Sequence, residues 1–370
     1  MKPNITIIVV PKFQYDYAEG GAENICRIIS IFLSKHANVT VLYGEKNKEE
    51  SLDKIKYHST NLKSINAFYV DEEITNEGEI SPNFTTFSKN IIKKSQLILS
   101  FERTLKNVSN KQICVLGGIA YKHCKEIAKS KYWNKLIVPS NFIKQKCKEI
   151  RGNDTNIFVV PNGINVDNFF PTNTKKTNVI LLPFRADIGK GYIESIDFTA
   201  KLNELKKWGK YKLIITKQEN NLFVENNIYK YIDNYAISKN VEINYVKWQK
   251  NKNMNTLYNK CDFVLSLGNL EEGFGLTTIE CILSGRPVIA KKIGATKEIL
   301  PDSCGLYFAK EPINSKEIAR IMNIINKTDI ISGRKYIKQN YNLNKMQNSY
   351  LNIITKAIQE RGFVNDKFSK

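Results

Sequence analysis

The chain has 370 residues, of which 42% are hydrophobic, 11% aromatic and 25% charged, and it carries a formal net charge of +20. That length exceeds what one compact core usually fills, so two domains are expected. The composition excludes a collagen, a low-complexity tail or a largely disordered chain, and no apolar run approaches the roughly 20 residues that cross a bilayer.

Short apolar runs alternate with amphipathic helical stretches, the pattern of parallel α/β units. The first half predicts strands at Ile5–Val10, Val39–Tyr43, Leu97–Phe101, Ile113–Leu116, Leu136–Val138 and Ile157–Val160. Between the first two lies a helical stretch, Glu23–Lys35, with Ile25, Ile28, Ile29, Phe32 and Leu33 as its apolar stripe. The acidic stretch Asp71–Glu79 reads as a loop. Pro161-Asn162-Gly163, Pro171 and the polar run Thr172–Asn178 predict an interdomain linker. The second half predicts strands at Val179–Leu182, Lys212–Ile215, Val241–Val246, Phe263–Leu267 and Pro287–Ala290, with helices at Glu194–Trp208, Met254–Lys260 and Leu276–Ser284. The tail from Ser315 to Arg361 reads as entirely helical. The expected architecture is two doubly wound α/β domains facing each other, residues 1–170 and 171–347.

Seven cysteines are scattered without a C-x-x-C pair, and there are three histidines. This usage suits reduced thiols in a cytoplasm, and neither a zinc site nor another metal centre is expected. No D-x-D occurs, so the usual carboxylate pair for a metal on a nucleotide diphosphate is missing. The N-terminus lacks the charged, apolar and small-residue blocks of a secretory signal. Cytoplasmic residence is the expectation.

Charge is unevenly spread. Residues 1–88 hold 9 Lys/Arg against 12 Asp/Glu, a net of −3, and residues 89–151 hold 15 against 3, a net of +12. Lys122, Lys125 and Lys129 fall on one helical face, as do Lys144, Lys148 and Arg151. Such a face attracts anionic lipid, nucleic acid or phosphorylated substrates; the plainer reading is a solvated surface.

Three segments carry chemistry. Gly20-Gly21-Ala22-Glu23, after the first strand, offers backbone amides at a helix start, although a tight turn would read the same. Phe184-Arg185-Ala186-Asp187-Ile188-Gly189-Lys190-Gly191 follows the strand Val179–Leu182, where ligands of open α/β sheets sit. There Arg185 can fork onto two phosphate oxygens while Lys190 supplies a point charge. Glu271 to Ala290 holds Glu272, then Gly273 and Gly275 baring amides, then a helix carrying Glu280.

Together these segments resemble the glycosyltransferase family 4 enzymes, which are retaining, nucleotide-sugar-dependent transferases of the GT-B fold. The resemblance spans nearly the whole chain and is most specific from Asp262 to Gly305. It includes Asp262-Phe263-Val264-Leu265-Ser266, Glu272-Gly273-Phe274-Gly275-Leu276, Glu280, Gly285-Arg286-Pro287-Val288-Ile289-Ala290 and Glu298-Ile299. It implies that Arg185 and Lys190 bind the donor diphosphate and stabilise the leaving nucleotide without a metal. It further implies that Glu272 holds the transferring sugar, that Glu280 accepts hydrogen bonds from the ribose, and that amides from Gly273 and Phe274 through Gly275, Leu276 and Thr277 contact sugar and phosphate. Gly21 would let the first-domain loop approach the diphosphate, and a final helix from about residue 348 to the C-terminus would cross back to the first domain.

Two positions depart from the family pattern. Phe184 stands where a glycine usually precedes the arginine. Gly117-Gly118 stands where many relatives carry a histidine, and His123, six residues on, reads as a surface helix residue. Glu102 and Arg103, at the end of another first-domain strand, are better placed to face the acceptor.

The leading expectation is a retaining transferase that uses a UDP- or GDP-linked sugar and a glycan or lipid-linked acceptor in cell-surface polysaccharide or lipopolysaccharide assembly. It would sit peripherally at the inner face of the membrane through residues 89–151. The alternative is a non-catalytic binding subunit or chaperone of an active transferase, which the Gly117-Gly118 departure motivates. Nucleotide-sugar epimerisation fits the motifs less well. Nucleic-acid binding fits least, since no base-stacking motif accompanies the charge.

Overall fold

A computed structural model describes residues 2–9, 21–43, 65–69, 86–105, 108, 111–172, 175–184, 188–217, 227–247, 251–302, 304–325 and 329–360. They divide into two units, Met1–Gly163 with Leu343–Lys370, and Ile164–Asn342. The acidic stretch Asp71–Glu79 lies outside the described residues.

The first unit begins with β1 (Asn4–Val9), α1 (Gly21–Leu33), β2 (Asn38–Tyr43), β3 (Ile65–Tyr69) and α2 (Thr86–Lys94). It continues with β4 (Leu97–Phe101), β5 (Gln112–Val115), α3 (Lys122–Lys129), β6 (Lys135–Val138), α4 (Asn141–Arg151) and β7 (Ile157–Val159). The strands form one parallel sheet in the order β3-β2-β1-β4-β5-β6-β7. In β1 every residue from Ile5 to Val9 is buried, as a parallel strand covered on both faces requires. The one polar side chain in that run, Thr6, hydrogen-bonds Ser95, so no polar group is left dry and unpaired. Ile25, Ile29 and Leu33 bring the α1 stripe onto this sheet.

The second unit comprises β8 (Val179–Leu182), α5 (Tyr192–Glu204), β9 (Lys212–Lys217), α6 (Ile228–Ser238), β10 (Ile243–Lys247) and α7 (Asn251–Tyr258). It is completed by β11 (Phe263–Ser266), α8 (Leu276–Leu283), β12 (Val288–Ala290), β13 (Leu306–Phe308), α9 (Ser315–Ile325) and α10 (Ile330–Asn340). Its parallel sheet runs β10-β9-β8-β11-β12-β13. The period-two alternation of β8 sorts its side chains: Ile180 and Leu182 pack with Ile196 and Leu202, while Val179 and Leu181 pack with Ile279 and Ile282. Asp262 ties the strand edges, accepting from the backbone N–H of Thr177 at 2.7 Å and of Asn178 at 2.9 Å.

The final helix, α11 (Leu343–Gln359), returns to the first unit and packs on α1, burying Met346, Tyr350, Ile354, Ala357 and Ile358. The tail that reads as entirely helical in the sequence consists of three helices, α9 to α11, of which α10 starts at an Asp329 N-cap that accepts from Ser332 N–H. Residues 164–170 make their contacts in the second unit. Ile164 N–H donates to the Tyr341 carbonyl (2.8 Å), Phe170 N–H to Asn255 Oδ1 (3.0 Å), and the buried Phe169 lies against Tyr258.

Candidate active site

The second sheet changes direction between β8 and β11, and the crevice beyond such a switch point is where doubly wound sheets hold ligands. The loops leaving these two strands are bonded to each other. Asn269 and Leu270 N–H both donate to the Gly189 carbonyl, at 3.1 and 3.3 Å. Gly191 has φ +83°, and a Cβ there would sit 2.3 Å from Gly268 N; one on Gly268 would sit 2.2 Å from Gly189 O. Only glycine fits either position, so the backbones touch directly. Arg185 and Gly20 lie outside the described residues.

That contact fixes Lys190, which ends a 3-10 turn over 188–190. Its ammonium lies 2.7 Å from Glu272 Oε1 and 5.8 Å from the Phe184 ring centre. Phe184 itself is buried, and its carbonyl accepts from the Tyr192 and Thr216 hydroxyls (2.9 and 3.0 Å). The bulky residue at this position therefore fills the floor beneath Lys190. Glu272 is anchored through its own carbonyl, which accepts from Ala295 N–H at 3.0 Å.

Beyond Glu272, Gly273 and Phe274 lead into α8. Phe274 turns its ring inward, edge-on to Tyr341 at 5.3 Å, so only its backbone is left for a ligand. Gly275, at φ +90°, precedes the helix, and the first-turn amides of Leu276 and Thr277 begin it. Such amides lack intrahelical partners and favour an anion. Farther along α8, Glu280 accepts a hydrogen bond from the Tyr258 hydroxyl at 2.5 Å. Burial pushes the Glu280 carboxyl up to about 7, with the Tyr258 bond opposing the shift, and it drives the Tyr258 phenol well above its ordinary value.

Sequence reasoning missed Lys291. It follows β12, its N–H donates to the Ser266 carbonyl (3.2 Å), and its ammonium donates to Asn269 Oδ1 (2.8 Å). Ion pairs with Glu311 (3.2 Å) and Glu194 (3.9 Å) hold it further. Lys291 lines a small cavity together with Lys190, Glu272, Ser266, Gly268 and Thr296. The signal was a lysine directly after a strand, but that β12 neighbours β11 becomes visible only in the sheet. Two ammonium groups and one carboxylate around one cavity suit a ligand that combines phosphate with hydroxyl groups.

Gly21, Glu102 and Arg103 belong to the first unit. Gly21 is the first residue of α1, and a Cβ there would meet no atom of the described residues within 4 Å. Glu102 leaves β4 at φ +53°, its Oε1 accepting from Gly117 N–H at 3.2 Å. Arg103 folds back to donate to the Glu102 carbonyl at 2.6 Å, and burial lowers its guanidinium pKa. His123 is not a bare surface residue, since Nε2 lies 4.0 Å from Glu102 Oε2. In the basic block, Arg151 stacks on Trp133 at 4.2 Å and donates to the Ala128 and Ser130 carbonyls (3.1 and 3.0 Å), and Lys144 pairs with Asp154 (3.3 Å). Lys122, Lys125, Lys129 and Lys148 remain exposed. No helix among the described residues is long and apolar enough to cross a membrane.

Residues 165–343 match the sequence profile of the family described as Glycosyl transferases group 1. No curated protein matches the chain in sequence. Among solved structures, a glycosyltransferase from Rickettsia africae aligns with a TM-score of 0.72 at 19% identity, over 97% of this chain and 99% of that one. Anabaena Alr3699/HepE, solved in complex with UDP and glucose, aligns at 0.70 and 15% identity, over 96% and 100%. WaaG, a glycosyltransferase involved in lipopolysaccharide biosynthesis, aligns at 0.69 and 14% identity, over 95% and 99%. The fold is GT-B.

Proposed function

We propose that this chain, whose residues 165–343 match the glycosyl transferases group 1 profile, is a retaining glycosyltransferase that moves a sugar from a nucleoside diphosphate sugar to a glycan or lipid-linked acceptor. The observation that carries the reading is the Lys190–Glu272 pair at the switch point of the second sheet, beside the amides that open α8. A donor would exchange this internal ion pair for two of its own. Its diphosphate takes Lys190, with Arg185 as the second cation, while sugar hydroxyls donate to Glu272. Glu280 would accept from the ribose hydroxyls.

Transfer then proceeds as the bond between the anomeric carbon and the diphosphate oxygen breaks. The departing oxygen gains charge, and a fixed ammonium beside it stabilises that charge without reorganisation. The acceptor hydroxyl attacks the same face and gives its proton to a donor phosphate oxygen, leaving a glycoside of unchanged anomeric configuration and a nucleoside diphosphate. The charge needed on the leaving group is supplied by side chains, which supports a metal-independent donor site. The solved neighbours, one in complex with UDP and glucose and one involved in lipopolysaccharide biosynthesis, favour a UDP-linked donor and a cell-surface glycan acceptor. The exposed lysines of α3 and α4 favour peripheral attachment to an anionic membrane.

A thermal-shift screen of UDP, GDP, ADP, CMP and their sugar conjugates, with and without chelator, tests the reading. A ligand at ~100 times its dissociation constant stabilises the fold by about 2.7 kcal/mol. The expected result is a shift for one nucleotide that survives the chelator and is absent from Arg185→Ala. No shift for any nucleotide would reject a donor site and favour a non-catalytic binding subunit.

A further inference from the structure

The first unit carries a cluster with different chemistry. At the C-terminal edge of its sheet, Glu102, His123 and Cys124 place one carboxylate oxygen, one imidazole nitrogen and one sulfur within 4.8 Å of one another. Cys124 Sγ lies 3.3 Å from His123 Nε2, and Glu102 Oε2 lies 4.0 Å from the same nitrogen. Among the described residues no other group of three such side chains converges this way.

The surroundings hold these three side chains in place. Glu102 continues the ladder, its N–H donating to the Val115 carbonyl (2.8 Å), and then turns out of β4 in the left-handed region at φ +53°. A non-glycine residue there is held by its neighbours against a conformational cost. Gly117 N–H fixes Oε1, which leaves Oε2 facing the histidine. A Cβ on Gly117 would come within 3.0 Å of Oε1, so the glycine makes room for this carboxylate. His123 stacks on the Tyr121 ring, centroids 5.8 Å apart and planes 8° from parallel. Cys124 projects from α3 into the core, whereas His123 and Glu102 keep one side towards solvent.

We propose that Glu102, His123 and Cys124 form a binding site for a zinc-class divalent cation. A tetrahedral ion with sulfur at about 2.3 Å and nitrogen and oxygen at about 2.0–2.2 Å separates its ligands by roughly 3.3–3.6 Å. The 3.3 Å sulfur–nitrogen edge already meets that range, while the two edges to Glu102, 4.0 Å to the imidazole nitrogen and within 4.8 Å to the sulfur, shorten as the carboxylate moves in on the ion. Thiolate, imidazole and carboxylate together select zinc or cobalt over magnesium or calcium, which prefer all-oxygen shells. The Gly117 amide on the second carboxylate oxygen is the outer contact that orients such a ligand. Three protein ligands leave a fourth position, on the solvent side, for water or another oxygen ligand. The site lies in the first unit and does not depend on the donor reading for the second.

The test uses the full chain, stripped of metal, loaded with zinc or cobalt and desalted. Elemental analysis should find about one equivalent of zinc per chain. The cobalt form should show the near-ultraviolet charge-transfer band of a thiolate ligand. Cys124→Ser should abolish that band. His123→Asn, at a half-exposed position, should weaken cobalt affinity by at least about tenfold while melting as the parent does without metal. Retention of less than a tenth of an equivalent, cobalt binding without the band, or a band unchanged in both variants would overturn the proposal. The last result would place the ion on other thiols.

Discussion

Lys190 Nζ lies 2.7 Å from Glu272 Oε1, joining the loop that leaves β8 to the loop that leaves β11. Each group has its charge satisfied by the other, so a donor binds here by supplying both with better partners. Lys190→Ala removes a charged contact worth about 1.5–3 kcal/mol and should weaken nucleoside diphosphate binding by about 10–100-fold. Glu272→Gln removes the competitor for Lys190, so nucleotide binding should hold or tighten while transfer falls by about 100-fold or more. Calorimetry with UDP and GDP beside a transfer assay separates the two. Equal loss of nucleotide binding in both variants would contradict these roles.

Glu280 gives the protein opposite pH responses for stability and for donor binding. Its folded pKa of about 7 lies above the ordinary 4.5, so below pH 4.5 the group is protonated in both states and costs nothing. Between 4.5 and 7 the unfolded chain releases the proton first, and stability falls as pH rises, by at most about 3 kcal/mol. Glu280→Gln should therefore raise the melting temperature at pH 8 and leave it unchanged near pH 4. An ionised carboxylate accepts from a ribose diol more strongly than its protonated form, so affinity for a nucleotide sugar should instead grow from pH 6 to pH 8, and lose that rise in Glu280→Gln. Tyr258→Phe removes the bond that lowers the Glu280 pKa and should move the affinity midpoint upward.

Gly191 and Gly268 predict a contrast with Gly21. Alanine at either of the first two would drive a methyl into backbone at 2.3 or 2.2 Å, and it should destabilise the fold by about 2 kcal/mol or more and displace Lys190. Gly21→Ala meets no atom of the described residues within 4 Å at the start of α1, so its melting temperature should hold or rise slightly. If a donor phosphate approaches Gly21, that variant should lose activity while remaining fully folded. Melting curves and a transfer assay on the three variants decide it.

The basic block divides into structural and free cations. Arg151→Ala should lower stability by about 1–2 kcal/mol through loss of the Trp133 stack and the bonds to the end of α3. Neutralising Lys122, Lys125 and Lys148 should leave stability unchanged. It should weaken attachment to phosphatidylserine vesicles by about 1 kcal/mol per lysine. Flotation at two salt concentrations measures this, and a parent protein indifferent to anionic lipid would exclude the membrane role.

The sequence reveals the α/β repeat because buried parallel strands read as short apolar runs, Ile5–Val9 and Val179–Leu182 among them. Ile65–Tyr69, broken by Asn66, and the three-residue Leu306–Phe308 lack that signature and emerge only through pairing with β2 and β12. The breaks between α9, α10 and α11 were hidden because polar and apolar residues keep a helical period across them. The site was legible where its residues share a segment, as Glu272 to Glu280 do. Lys291 was not, since its place beside Ser266 is set by strand order. Glu102 and His123 meet for the same reason, through β4 and the helix after β5.

Ile164 pairs with Asn342 in a parallel bridge, so the chain enters and leaves the second unit at one point. The second unit is thus a continuous insert, and the first is split around it. During synthesis, residues 164–342 pass through the ribosome in about 10–40 s at the usual 5–20 residues per second. Throughout that interval the face of α1 that Tyr350 and Ile354 will cover stays bare, while the insert can fold in full. A stop codon just before Leu343 would strip the early-made unit of the helix that closes its core over α1 and spare the later one.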